Sequence, residues 1–169
     1  MGGGVLLELS HEIDYLRWIF GEVAWVSAWA GQTGVLDLDV EDSAKLQLGF
    51  LGKRGKVGPV ASLNMDFVRQ DPVRFCEVIG TKGTLRWNGN GGAIAHFSPG
   101  GGWRQIHGQR ENCGQSYVLQ LKSFLKSARN GLRPRVSGKD GLMVLKVVEA
   151  AKRSNAKKGL RIALTSGSV

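Results

Sequence analysis

The sequence predicts an α+β fold, a single domain in which an open, mostly antiparallel or mixed β-sheet is layered against helices on one face. Three observations indicate this class. Hydrophobic residues recur with helical spacing near both ends of the chain, they alternate with polar residues in the middle, and short glycine-rich turns join the alternating runs. Short turns connect antiparallel strands, because parallel strands need longer crossover connections.

The first element is a two-faced helix that ends at Gly21. Its apolar stripe has the spacing of a buried helix face and consists of Leu6, Leu9, Ile13, Leu16 and Phe20. A second stripe consists of Leu7, His11, Asp14 and Trp18. Glu8 precedes His11 by three residues, so we expect its carboxylate to meet the imidazole. Gly2–Gly4 precede the helix and allow the backbone to approach another group closely.

Seven strands are expected between residues 23 and 108, where the hydrophobic period is two. They are expected at 23–30, 40–50, 61–67, 75–79, 84–87, 93–97 and 103–106. The turn Gly52-Lys53-Arg54-Gly55 separates the second strand from the third. The turn Gly80-Thr81-Lys82-Gly83 has the length and composition of a tight β-hairpin.

Two helices and a short strand complete the predicted domain. The first helix ends at Gly131, and its apolar stripe consists of Tyr117, Leu121, Phe124, Leu125 and Ala128. Ser137 and Asp140 resemble a capping box at the start of the second helix. The apolar stripe of that helix consists of Leu142, Leu145, Val148 and Ala151. Residues 160–164 alternate as a final strand. We assign residues 1–164 to the domain and 165–169 to a C-terminal tail.

The charge of the chain is concentrated near its C-terminus. The net charge is +9, and residues 122–169 hold 12 basic and 2 acidic side chains, whereas residues 1–121 hold 11 and 12. A basic stripe can contact phosphates, but lysine and arginine are also the ordinary solvent-side residues of surface helices. We favour the solvated surface and keep a nucleic-acid or acidic partner as the alternative.

The sequence contains no pattern typical of a transmembrane segment, a disulfide framework or a metal site. No apolar run approaches the ~20 residues that cross a bilayer, and acidic side chains interrupt the N-terminal segment where a secretory signal would lie. We therefore expect a cytoplasmic protein. Cys76 and Cys113 are far apart and are expected as buried thiols. His96 and His107 have no partner at metal-ligand spacing, so we expect no metal and an exposed or hydrogen-bonded role for both. The five tryptophans are expected in the core or at sheet interfaces.

Five segments in the same order resemble one protein family. The first runs from Gly2-Gly3-Gly4 through Ser10-His11-Glu12-Ile13-Asp14 to Gly21-Glu22-Val23. The others are Val40-Glu41-Asp42-Ser43-Ala44, the hairpin Val78-Ile79-Gly80-Thr81-Lys82-Gly83-Thr84-Leu85, and the closing segments around 117–124 and 134–151. Together they are similar to the C-terminal domain of the glucose–fructose oxidoreductase, inositol dehydrogenase and rhizopine-catabolism (Gfo/Idh/MocA) family. The resemblance covers nearly the whole chain.

The resemblance implies descent from NAD(P)-dependent sugar or polyol oxidoreductases without their cofactor-binding half. Complete members carry a Rossmann domain in front of this one, and the lysine of their Glu-Lys-Pro loop lies in that domain. The present sequence contains neither G-x-G-x-x-G nor a P-loop. We therefore expect no cofactor in this chain, with NAD or NADP bound only if a Rossmann domain is supplied. Family members also pack one sheet face against another subunit, which implies a homo-oligomer, here a dimer through the sheet face.

The resemblance also places half of an active site on the first helix. In the family, a carboxylate and a histidine there face the nicotinamide and help to move the proton as hydride leaves the sugar carbon. His11 matches the histidine, and an imidazole titrates near neutral pH as this chemistry requires. The carboxylate usually lies at the position of Leu7, so Glu8 is its nearest substitute. We expect His11 and Glu8 as catalytic groups, vestigial or completed in trans, and Asp14 with His11 as substrate-binding groups.

Three functional hypotheses follow. The first is a substrate-binding and oligomerisation domain that is not catalytic by itself and binds a small sugar. The second is half of a two-chain dehydrogenase that a Rossmann partner completes in trans. The third is a basic-surface module for nucleic acid or an acidic partner, whose binding would weaken steeply with salt. The first hypothesis accounts together for the order of elements, the missing dinucleotide motif and the retained helix.

Overall fold

The computed structural model of the protein describes residues 3–52, 58–108 and 114–164. It confirms the α+β class, with the helices and strands in the predicted order. The elements are α1 Val5–Glu8, α2 Ser10–Phe20, β1 Val23–Gly31, β2 Ser43–Phe50, β3 Val60–Asp66, β4 Phe75–Gly80, β5 Gly83–Asn88, β6 Ala93–Ser98, β7 Gly102–Gly108, α3 Gln115–Arg129, α4 Gly138–Ala156 and β8 Ile162–Ala163. Every strand pairing among the described residues is antiparallel.

The strands divide between two four-stranded sheets, each in its own compact unit. The first unit, Met1–Arg69 with Val136–Val169, holds the sheet β3-β2-β1-β8 together with α1, α2 and α4. The second unit, Gln70–Arg135, holds the sheet β4-β5-β6-β7 and α3. The alternation within one strand does not show which strand lies next to it. Periodicity therefore predicts the strands but not how they divide between two sheets.

The core of the first unit lies where α1, α2 and α4 pack against one face of its sheet. Strand β2 shows the alternation clearly, since Ala44, Leu46 and Leu48 are buried while Lys45 and Gln47 are exposed. The helices contribute apolar side chains to the same cluster, including Val5, Leu6, Ile13, Leu16, Val144, Val147, Val148 and Ala151. Burial of these side chains is the main stabilising contribution to the unit.

Helix α4 also completes an edge of the sheet. Strand β8 pairs with only a short stretch of β1. Further along β1, the amide of Ala28 donates a 2.9 Å hydrogen bond to Ser154 Oγ. Asn155 accepts from the Ala30 amide at 3.0 Å and donates to its carbonyl at 2.7 Å. These helix side chains satisfy backbone groups that would otherwise remain unpaired at a strand edge. The predicted capping box is confirmed at the other end of α4, between Ser137 and Asp140.

The second unit is an antiparallel meander. The predicted β-hairpin is confirmed, with Gly80 opposite Gly83 at its closed end. Helix α3 also forms where it was predicted, but its apolar stripe is exposed within this chain, including Tyr117, Leu121 and Phe124.

Several local predictions need correction. The first helix is interrupted at Leu9, whose ψ of 20° separates α1 from α2. The interruption is one residue long, so Leu6, Ile13 and Leu16 still share the buried face.

Trp18 is 86% exposed because its stripe on α2 faces away from the sheet. Trp29 and Trp103 are also exposed, and Trp25 and Trp87 are half-buried, so none of the five is a core residue. Their location at a sheet interface with another subunit stays a prediction.

Other predictions concern single residues. Cys76 is half-buried rather than buried. Cys113 and most of the turn that begins at Gly52 lie outside the described residues. No helix in the described part of the chain is long and apolar enough to cross a membrane.

Candidate functional site

The start of α1 lies directly against the carboxylate of Glu41, two residues before β2 begins. Gly4 has φ +88°, and a Cβ at this position would lie 2.5 Å from Glu41 Cδ. The amide of Val5 donates to the Glu41 carbonyl at 2.9 Å, and the amide of Leu6 donates to Glu41 Oε1 at 3.3 Å. The predicted close approach at the glycine run is therefore confirmed at Gly4. The sequence did not identify the approached group, although Glu41 lies within a resembling segment.

The imidazole of His11 has a different carboxylate partner from the expected one. His11 Nε2 lies 3.1 Å from Glu12 Oε1, and the side chain of His11 is 52% exposed whereas that of Glu12 is 12% exposed. Glu8 is exposed at the end of α1, and His11 lies in α2. The two residues therefore do not share a continuous helix, and the i,i+3 argument for their contact does not apply. The structure brings His11 to Glu12 and not to Glu8.

Asp14 contacts a buried arginine. Arg17 Nη1 lies 3.7 Å from Asp14 Oδ1 and donates to the Asp140 carbonyl at 3.1 Å. The same guanidinium donates to both oxygens of Glu22, at 3.1 and 2.7 Å. A planar guanidinium suits such bidentate pairing. This network fixes α2 to the start of α4, while the side chain of Asp14 remains 44% exposed.

Together these side chains form an exposed polar face of α2. His11, Asp14 and Trp18 follow one another at helical spacing, and all three reach the solvent. An imidazole can move a proton near neutral pH, and an exposed carboxylate can accept hydrogen bonds from hydroxyl groups. No three histidine, cysteine or acidic side chains of the described residues come together as a metal site.

A second carboxylate that the sequence did not single out has a structural role. Asp42 is fully buried, and Thr33 donates to it from its amide and its hydroxyl. This contact closes the base of the β1–β2 connection. The alternation of residues 40–50 places Asp42 on the buried side, but only the structure shows its partner.

Comparison with known proteins gives a family match over almost the whole chain. Residues 1–164 match the oxidoreductase family, C-terminal alpha/beta domain (GFO_IDH_MocA_C). A myo-inositol 2-dehydrogenase of Thermotoga maritima is 29% identical over 163 residues, covering 91% of this chain and 47% of the relative. The chain therefore spans about half the length of the curated relative that it matches.

Solved structures show the same fold. A levoglucosan dehydrogenase in complex with NADH and levoglucosan has a TM-score of 0.79 at 19% identity, over 93% of this chain and 49% of that one. An oxidoreductase from Agrobacterium radiobacter in complex with NAD+, L-tartaric acid and magnesium has a TM-score of 0.76 at 21% identity, over 91% and 47%. The WlbA dehydrogenase from Bordetella pertussis in complex with NADH and UDP-GlcNAcA has a TM-score of 0.71 at 24% identity, over 98% and 46%.

Proposed function

Because the chain belongs to the Gfo/Idh/MocA oxidoreductase family and matches its C-terminal alpha/beta domain, we propose that it is the substrate-binding and oligomerisation half of an NAD(P)-dependent sugar or polyol oxidoreductase. By itself it is not catalytic. The observation that carries this proposal is the exposed polar face of α2 inside a domain that matches the family. The myo-inositol and levoglucosan dehydrogenases among its relatives support a polyhydroxylated substrate.

The side chains of this face suit a polyol better than a dinucleotide. His11 has three acidic residues within three positions of it in the sequence, Glu8, Glu12 and Asp14. Their carboxylates would repel a pyrophosphate. The same carboxylates accept hydrogen bonds from neutral hydroxyl groups without electrostatic cost. The groups that hold NAD or NADP therefore belong to a Rossmann domain, and hydride transfer requires that domain.

His11 is the proposed proton-transfer group. Glu12 occupies its Nε2 side at 3.1 Å, which leaves Nδ1 to approach a substrate hydroxyl. A carboxylate on the far nitrogen fixes the orientation of an imidazole ring. Asp14 is proposed to hold a neighbouring hydroxyl. Glu8, an exposed carboxylate at the end of α1, is the second proposed catalytic group, vestigial or completed in trans.

Completion in trans is the second candidate function. Next to the polar face, α2 exposes Trp18 and Ile19, the first of them at 86%. Large exposed apolar side chains beside a polar site mark a surface that another domain covers. A Rossmann domain on a separate chain would cover them and restore an NAD(P)-dependent dehydrogenase. Capture of such a chain by the wild type and not by Trp18→Glu would support this, and equal capture by both would contradict it.

Polyol binding at His11 is tested by NMR. Myo-inositol and levoglucosan are titrated to about 100 mM while the imidazole resonances are followed. This range detects sites whose binding free energy is only a few kcal/mol. We expect the His11 signals to move and those of His107 to stay, both in the wild type and, for His11, in the matched variant His107→Gln. The accompanying shift of the indole signal of Trp18, on the same face of α2, should be lost in His11→Gln. Equal movement of both histidines, or of neither, would contradict the proposal.

Cofactor binding is tested separately through the five tryptophans. NADH and NADPH are titrated to millimolar concentration while energy transfer from tryptophan is recorded. We expect no saturable transfer. Saturable transfer would mean that this chain binds a dinucleotide and would overturn its assignment as the substrate half.

A further inference from the structure

A cavity lies at the closed end of the β4–β5 hairpin, within the second unit. Its volume is about 500 Å³, within the range of roughly 300–1,000 Å³ that small-molecule sites occupy, but it is largely open to solvent, since Thr81, Lys82 and Leu85 are exposed. Its walls include Val78 and Leu85, and its polar lining comes from Thr81, Lys82 and His96. None of these residues belongs to the face of α2, so the cavity is independent of the proposed function.

Strand register explains how apolar and cationic groups share this cavity. Val78 lies opposite Leu85, and Leu85 lies opposite His96, so the three side chains form a row on one face of the sheet. Arg104 follows His96 in the next strand and adds a cation at the end of this row. Lys82 stands at the turn that closes the hairpin.

A glycine makes room for the imidazole. Gly83 has φ +146°, and a Cβ there would overlap the Phe97 carbonyl and lie 2.7 Å from His96 Nε2. The imidazole therefore packs against bare backbone at the turn, beside Lys82. Any larger residue at position 83 would displace it.

The side chains of Lys82 and His96 have no carboxylate partner in the described part of the chain. Among the residues that the structure describes, the side chains of Lys82 and His96 make no hydrogen bond or ion pair with the rest of the protein. Glu77 is the acid nearest in the hairpin, but it lies on the opposite face of β4 and pairs with Arg86 at 2.7 Å. An anion entering the cavity would therefore meet donors that no protein carboxylate already occupies.

From this arrangement we propose that the hairpin cavity binds a small organic carboxylate. The carboxylate contacts Lys82, His96 and the hydroxyl of Thr81, and the apolar body of the ligand packs on Val78 and Leu85. The apolar walls favour an organic acid over inorganic phosphate, because a phosphate ion would bury no apolar surface against them.

Benzoate is the probe for this site, with benzyl alcohol as its neutral counterpart of similar shape. We expect benzoate to move the NMR amide signals of Thr81–Gly83 and His96, and benzyl alcohol and inorganic phosphate to move them far less. Lys82→Gln should weaken benzoate binding about tenfold, the loss of one charge-assisted contact. Lys126→Gln removes an exposed lysine of α3 in the same unit and should leave binding unchanged.

Three results would overturn the site. They are equal binding of benzyl alcohol, an equal loss in Lys82→Gln and Lys126→Gln, or no movement of these signals at about 10 mM benzoate, where even millimolar sites fill. His96→Asn gives a second variant in case Lys82→Gln perturbs the hairpin, and it should also weaken binding. The polyol experiment reads His11, so failure of one proposal is distinguishable from failure of the other.

Discussion

Asp42 and Thr33 join the two ends of the β1–β2 connection through a fully buried carboxylate. The amide of Thr33 lies 2.9 Å from Oδ1 and 3.1 Å from Oδ2, and its hydroxyl lies 2.9 Å from Oδ2. The Asp42 amide in turn donates to the Gly31 carbonyl at 3.1 Å. Backbone pairing between β1 and β2 ends at Gly31 and Ser43. Beyond this point the side chain of Asp42 provides the hydrogen bonds between the two segments.

Replacement of Asp42 by alanine should destabilise the first unit. The change removes the carboxylate that accepts from the amide and hydroxyl of Thr33, and loss of such hydrogen bonds to a charged group costs about 1.5–3 kcal/mol of unfolding free energy. Urea unfolding followed by circular dichroism measures the loss. Asp37→Ala, in the same connection but exposed, is the matched control and should change stability by less than about 0.5 kcal/mol. Equal losses would show that Asp42 does not hold the connection.

Replacement of Gly4 by alanine tests its contact with Glu41. The variant must adopt a positive φ, which costs roughly 1–2 kcal/mol, and its Cβ must also displace the Glu41 carboxylate. Gly34→Ala is the control, because Gly34 has φ +78° and a Cβ added there would meet nothing within 4 Å. We expect Gly4→Ala to lose more stability than Gly34→Ala in urea unfolding. The additional loss should shrink when Glu41→Ala is combined with Gly4→Ala, and a fully additive double variant would contradict the contact.

The sequence predicts the elements better than the contacts between them. Alternation and helical spacing locate the strands of the first unit and α4, because both patterns depend on which face each residue presents to the core. The same spacing locates α3, although its apolar stripe is exposed within this chain. The capping box at Ser137 is predictable for a similar reason, since its partners are three residues apart. Contacts that join distant segments, such as Glu41 with Gly4, require the topology and carry no local pattern.

The candidate site shows the same limit at shorter range. His11 and Asp14 were identified from the resemblance, and the structure places both on the exposed face of α2. The expected partner Glu8 was inferred from helical spacing, which fails because Leu9 interrupts the helix. Glu12 was missed as a partner because adjacent helix residues do not normally face each other. Its contact depends on side-chain rotamers that spacing does not describe.

Dimerisation through the sheet face is tested at Trp29. This residue is 49% exposed on the face of the first sheet opposite the buried core, beside Lys45 in the neighbouring strand. Burial of a large aromatic side chain is a common anchor of protein interfaces. We expect a dimer for the wild type and a monomer for Trp29→Arg in sedimentation equilibrium. Trp18→Arg alters an even more exposed tryptophan on α2 and should remain dimeric. Dissociation by both variants, or by neither, would argue against this face.

The basic C-terminal part of the chain is tested by salt. Lys152, Arg153, Lys157 and Lys158 are exposed near the end of α4, where cations also suit the negative end of the helix dipole. If these side chains are only a solvated surface, binding to a duplex DNA should be weak and should disappear near physiological salt, because it rests on nonspecific counterion release. Fluorescence anisotropy between about 50 and 200 mM salt measures this, a range over which several phosphate contacts lose orders of magnitude in affinity. Lys157→Glu combined with Lys158→Glu should remove the residual binding at low salt and leave the His11 response to polyols unchanged. Tight binding at about 50 mM salt that weakens steeply toward 200 mM and is lost in the double variant would instead favour a nucleic-acid partner.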